Sequence, residues 1–543
     1  MTQKMLKSLL AVALFPCIAF GMFSLYKNQQ EMHELVSSLR REIALKDAAP
    51  KTEVKVIERV TAQQPWGQVQ EGTSDTVVHI IAQRTDVNIL RPYETPNQGG
   101  GSGTGFLISQ TGEIITNHHV VNQAQAVWIR IPTLGKMIID VDVVGTCPER
   151  DLALLKIKDE YLALIKQALG DVPYLELGDS DHIRRSDEVL ALGYPLGQNS
   201  LKSTSGVVSG RENMGGQHLI QISAALNPGN SGGPVVDLGA KVIGIACSGI
   251  TSAQNVGYII PVNELKMILD ELRTGGLLRR PFLGVLFNNG SKQLAQYLGN
   301  PEPCGCYVVD VYKGSPLSKA GVQAGDMIYE INGHPIDAYG DLNVSWSEDK
   351  VSVIDYVGRL EIGQQIDIVL YRKGTKKTLR FKFDFSELLP VHKMFPGYDD
   401  VQYEIFGGML VQPLRLNHVA ALINNAPSLA QYLEFENQTK DALIITHVVP
   451  NSATQRLEVL REGSVISEIN GATIGTLDEF RKAIHDGMKK DFITFKTTDG
   501  VFFVLSPEEV VKDEKKLSGI YKYPLSGFVE EIIENFESNK KDS

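Results

Sequence analysis

The chain has 543 residues, 43% of them apolar and 22% charged, with 50 glycines and a formal net charge of −11. That length exceeds what one core sustains, so three or four globular units of about 100–200 residues are expected, with the composition of an ordinary folded protein rich in turns. An acidic balance without a cluster of Lys and Arg gives no footing for nucleic acid.

The first features in chain order concern export. Lys4 and Lys7 precede an uncharged apolar run over residues 8–26, long enough to cross a bilayer and flanked so that the remainder of the chain lies across the membrane. An uncleaved anchor is expected, with a signal peptide as the competitor, because only Cys17-Ile-Ala19 or Ala19-Phe-Gly21 offers even a poor cleavage site. Met32, Leu35, Leu39 and Ile43 then recur at helical spacing and predict a short stalk helix. Residues 48–70, polar and carrying Pro50 and Pro65, read as a linker.

Between Thr76 and Leu272 many short β-branched runs alternate with glycine-rich turns, the pattern of an all-β barrel or sandwich. A helix over residues 262–272, with Asn263 as its cap, closes the unit at Gly275-Gly276. Beyond it, residues 308–332 and 444–470 share a grammar ending in Ile-Asn-Gly, and a separation of that length means duplicated domains rather than a solenoid.

Residues 227–234 (NPGNSGGP) hold a serine between glycines, where a tight turn exposes the hydroxyl and aims backbone N–H groups at a developing oxyanion. Ser231 is the candidate nucleophile, and Gly229, Asn230 and Ser231 the candidate oxyanion donors. An α/β-hydrolase elbow would need a helix directly after the serine, whereas the following residues read as turn and strand. A base and a carboxylate stand upstream: His118 and His119 at the end of a strand, and Asp151 at the head of an apolar one. The order His, Asp, Ser is that of two-barrel proteases of the chymotrypsin type. Activity is expected to fall in acid, since the base must be a neutral imidazole. Five cysteines are too few for a disulfide framework, and Cys304-Gly-Cys306 lacks a second ligand pair, so no metal is expected; a Cys147–Cys247 bridge stays open.

The blocks GTGFLI at 103–108, TNHHVV at 116–121, DLALLKI at 151–157, SGVVS at 205–209 and residues 227–234 resemble those of the HtrA/Deg serine proteases. The resemblance selects His119 over His118, and implies a pocket for aliphatic or small apolar side chains from Ala224, Ala225 and Leu226 with Ile245. It also implies a mainly β fold: a chymotrypsin-like double β-barrel protease domain (66–276), then two PDZ-like α+β domains (280–390 and 400–508). An N-terminal membrane-spanning helix or signal peptide (1–26), a stalk and linker (27–65) and a charged tail (509–543) complete the expected layout. Leu283, Gly284 and Val285 are the expected peptide-binding loop of the first PDZ domain, whereas Phe406-Gly-Gly-Met409 leaves ligand binding by the second open. The implied activity is ATP-independent hydrolysis, without a cofactor, of unfolded polypeptides in the cell envelope, by a homo-oligomer built from trimers. Two alternatives stand beside it: an anchored regulatory protease switched on by PDZ ligands, and a peptide-binding scaffold with a latent protease. The tail carries no motif beyond a possible short helix near 529–536.

Overall fold

The computed structural model describes residues 65–541 except 215, 250–254, 281–282, 302–304 and 385–386. The predicted anchor and stalk lie outside these residues, and among the described residues no helix is long and apolar enough to cross a membrane.

Twelve strands make two barrels. In the first, β1 (Val77–Asp86), β2 (Asn97–Leu107), β3 (Glu113–Thr116), β4 (Ala124–Arg130), β5 (Ile139–Cys147) and β6 (Leu152–Ile157) run in the order β5-β4-β1-β2-β3-β6, and β5 pairs with β6 to close the ring. The second barrel closes β7 (Glu188–Gly193), β8 (Lys202–Met214), β9 (Gln217–Ile222), β10 (Pro234–Val236), β11 (Val242–Gly249) and β12 (Gly257–Pro261) in the order β10-β11-β12-β9-β8-β7. Their near-continuous apolar runs follow from burial on both faces. Along β6, Ala153, Leu155 and Ile157 fill the first barrel while Leu152 and Leu154 face the seam; along β7, Val189 and Ala191 fill the second while Leu190 and Leu192 meet that seam. Each such Val, Leu or Ile side chain contributes roughly 1.5–3 kcal/mol by leaving water.

The helix Val262–Thr274 covers the seam with Val262, Leu265, Ile268 and Leu272, and β13 (Gly276–Leu277) pairs with β5. Its N-cap is Pro261, one residue ahead of the helix; Asn263 lies inside the first turn and its amide donates to Asp179 (2.8 Å), which corrects the expected cap. The supposed linker also differs: Pro65–Thr73 is a helix whose Val69 packs into the seam core. The glycine run ahead of Thr104 belongs to β2, paired residue for residue with β1, although glycine is a poor strand former. Cys147 and Cys247 are buried and no disulfide joins them, so the bridge left open by the sequence is absent.

The first PDZ module orders its sheet β14 (Val285–Asn289), β15 (Cys306–Val311), β16 (Asp326–Ile331), β20 (Gln365–Arg372), β21 (Thr375–Lys382), with short pieces β17 (His334–Pro335), β18 (Asp341–Leu342) and β19 (Val351–Ser352), and β14 is an edge. The second orders β22 (Glu404–Phe406), β23 (Met409–Pro413), β24 (Leu443–Val448), β25 (Val465–Ile469), β27 (Ile493–Thr497), β28 (Phe502–Leu505), with β26 (Ala472–Thr473) on β25. Here Phe406-Gly-Gly-Met409 is the tight turn of a hairpin, with Gly407 at φ +61° and Gly408 at φ +82°, and β22 already occupies the edge of β23.

The tail proves to be part of this second module. Helices Pro507–Tyr521 and Gly527–Lys541 send Val510, Val511, Val529, Ile532 and Ile533 into the core that contains Phe406 and Met409. Glu514, only 1% exposed, accepts from the Gly407 N–H (3.0 Å) and from the Tyr523 hydroxyl (3.1 Å). Burial pushes its carboxyl up to about 7. A carboxyl whose pKa is raised on folding binds its proton more tightly in the native state, so its contribution is fully present below the ordinary value of 4.5 and is lost as pH rises through 7. Glu514→Gln is therefore expected to stabilise this module at pH 8 by on the order of 3 kcal/mol and to do nothing at pH 4. Hydrogen-exchange protection of β23, compared between the two proteins at each pH, reads this out; equal protection at pH 8 contradicts it.

Candidate active site

The site is assembled at the seam, two groups from one barrel and one from the other. His119 sits in the short helix His118–Val121 that follows β3, Asp151 closes the turn between β5 and β6, and Ser231 lies between β9 and β10. Asp151 Oδ2 accepts from His119 Nδ1 (2.7 Å) while Oδ1 accepts from the His119 backbone N–H (2.9 Å), so one carboxylate fixes both the ring and its main chain. The His119 side chain is 48% exposed and Asp151 24%, so the ring stands in the cleft with the carboxylate behind it.

His118 has a different part. It is buried, its Nδ1 meets Thr146 Oγ1 at 2.6 Å, and burial pulls its pKa down to about 4, which leaves a neutral ring packed in the barrel wall.

Ser231 shares with His119 and Asp151 a cleft of about 500 Å³, lined also by Met214, Gln217, Leu219, Leu226, Asn230, Ala246 and Cys247. Its hydroxyl donates to the Cys247 carbonyl (3.2 Å). The turn before it needs glycine: Gly229 has φ +101°, and a Cβ there would lie 2.4 Å from the Tyr194 carbonyl oxygen. Thr104 holds this turn from β2, its N–H donating to the Ser231 carbonyl (2.9 Å) and its hydroxyl to the Gly229 carbonyl (2.7 Å). Among the described residues no acceptor is found for the N–H groups of Gly229 and Ser231, whereas the Asn230 N–H is committed to the Asn227 carbonyl (2.9 Å). The expected donor set thus reduces to two, because a tight turn spends its middle N–H internally.

Of the expected pocket residues, Leu226 lines the cleft. Ala225 is exposed and outside the lining, and Ile245 is fully buried in the seam core, since it pairs with Pro234 and Ile260 inside the sheet; Ala246 and Cys247 take the place assigned to it. Leu283 packs in the core of the first PDZ module, and Gly284, at φ +71°, lies so close to Ser315 that a Cβ would fall 2.1 Å from it. Val285 opens the edge strand β14.

Sequence reasoning missed the residues that hold these groups. Besides Thr104, Asn117 donates from its amide to the Asp151 carbonyl (2.9 Å), and Arg84 donates to the carbonyls of His119 and Val120. Thr104 and Asn117 stand inside blocks already singled out; Arg84, on β1, carried no local signal.

A double barrel whose His–Asp pair and serine line one cleft, followed by two PDZ modules, defines a trypsin-like serine endopeptidase. Residues 103–245 match the trypsin-like peptidase domain family, and 281–383 and 396–524 each match a PDZ domain family. A periplasmic serine endoprotease, DegP-like, from Marinomonas sp. is 30% identical over 401 residues, covering 72% of this chain and 76% of that one. Its namesake from Chlamydia pneumoniae is 30% identical over 417 residues, covering 75% and 76%. Among solved structures, the HtrA-type protease AlgW with decapeptide is 27% identical, covers 59% of this chain and 99% of its own, and superposes with a TM-score of 0.46. The chain belongs to the HtrA/DegP-like family of serine endoproteases, and like its relatives is assigned to the periplasmic side of the cell envelope.

Proposed function

We propose that His119, Asp151 and Ser231 are the catalytic triad of an ATP-independent endopeptidase that degrades unfolded or misfolded polypeptides in the cell envelope. The observation that carries this reading is the two-point hold of one carboxylate on His119 in the cleft that also contains Ser231. Ser231 attacks the scissile carbonyl as His119 takes its proton, Asp151 stabilises the imidazolium, and the N–H groups of Gly229 and Ser231 receive the oxyanion. Leu226, with Ala246 and Cys247, favours aliphatic or small side chains before the cut. The test is a fluorophosphonate probe with mass-spectrometric mapping, together with a casein cleavage profile. Label on Ser231 and cuts after apolar residues support the reading; label elsewhere, or cuts after Lys and Arg, reject it.

The modules divide their work. The first captures C-terminal or hydrophobic peptides by strand addition at β14, whereas the second, whose β23 edge is filled by β22, serves packing and assembly. Residues 8–26 anchor the chain or direct its export, a choice read from the mass of the mature N-terminus, and the family resemblance suggests trimers. A second reading, a regulatory protease switched on by a PDZ ligand, is favoured by the bond from Ser231 to the Cys247 carbonyl, which turns the hydroxyl to the main chain. Stimulation of peptide hydrolysis by an added C-terminal peptide separates the two.

A further inference from the structure

Arg150, the residue before Asp151, is charged yet only 4% exposed, and nothing in the proposed chemistry uses it. A buried guanidinium needs partners, and these come from two modules. Its Nη1 pairs with Glu264 on the seam helix, itself 8% exposed, and its Nη2 donates to the carbonyl of Gly358, the last residue of helix Val353–Gly358 in the first PDZ module. Arg359, the next residue along, shares Glu264 (3.5 Å), pairs with Asp181 (2.9 Å) and lies over the Trp346 ring (4.1 Å).

The rest of the turn is tied in the same direction. Glu149 accepts from the Arg280 N–H in the segment leading into the PDZ module, and the Arg150 carbonyl accepts from Gln217 (2.8 Å), a residue of the cleft. The other end of the PDZ helix is held too, since Asp355 accepts from Asn213 on β8. At the crossing the Arg280 guanidinium covers Gly358: a Cβ there would lie 1.6 Å from Arg280 Nη2. Asp151 meanwhile has φ +52°, a left-handed conformation that aspartate adopts more readily than most side chains.

We propose that Arg150 is a positioning residue for Asp151, its guanidinium bracing the β5–β6 turn against Glu264 and against the PDZ helix, so that the set of Asp151 and His119 depends on where that helix sits. This rests on the reading of His119, Asp151 and Ser231 as the triad. Misplacing a reacting group by about 1 Å costs up to roughly 10²-fold in rate without altering the binding surface.

The test uses the full chain and a short chromogenic peptide. Arg150→Met is expected to lower kcat by about 10- to 100-fold with KM within about twofold, and Arg150→Lys to recover part of the loss through Glu264. Asn213→Ala, which removes no charge and frees the other end of the PDZ helix from β8, is expected to lower kcat in the same way by a smaller factor, and carries the test if Arg150→Met fails to fold. Unchanged kcat in Asn213→Ala, a loss in Arg150→Met that falls on KM, or a Lys variant as poor as Met overturns the proposal. Failure of the triad reading shows separately, as activity retained by Ser231→Ala.

Discussion

Ser231→Ala is expected to lower kcat for casein or peptide hydrolysis by about 10⁵–10⁶-fold while leaving the fold and peptide capture unchanged. The loss is large because the acyl-enzyme route disappears, and His119 then has no hydroxyl to deprotonate. The structural cost is small because the hydroxyl makes one internal bond, to the Cys247 carbonyl at the edge of an open cleft, worth about 0.5–1.5 kcal/mol. Initial rates beside a thermal melt and a titration of C-terminal peptide make the comparison. A variant within tenfold of the native rate sinks the triad reading, and one that loses peptide binding as well shows that the substitution disturbed more than the nucleophile.

Asp151→Asn is expected to cost about 10⁴-fold in kcat with little change in KM. The reason lies in the two bonds the carboxylate accepts, one from the His119 main chain and one from its Nδ1. An amide has one oxygen, and the main-chain N–H, which can only donate, claims it. The amide nitrogen then faces Nδ1, which must become an acceptor, so the ring proton moves to Nε2, the nitrogen that has to receive the serine proton. The opposite amide orientation sets two donors against each other. Measured kcat and KM with a short peptide decide the point, and a loss under tenfold shows that the carboxylate is dispensable.

The residues with chemistry were legible where motif and local structure coincide. Ser231 stood in a turn only glycine permits, and His119 and Asp151 stood at strand ends, where side chains are presented at a barrel rim. What escaped depended on partners distant in the chain. Ile245 read as a pocket wall because its strand runs past the cleft, but one step of the pleat turns it into the seam. The tail read as charged because its polar face dominates the sequence, while five apolar residues spaced along two helices reach the second PDZ core. Arg150 gave no signal, since the helix that accepts from it lies two hundred residues downstream.

The hairpin of β22 and β23 bears on how the chain avoids aggregation. Unfolded chains seek unpaired backbone, and a bare strand invites them to accrete instead of being cut. In the second module β22 covers β23 and becomes the edge in its place, and the far rim of the first, β21, carries Lys376, Lys377, Arg380 and Lys382 as a cationic fence. The rim at β14, VLFNN, carries no such charges, and it belongs to the module braced against the Asp151 turn.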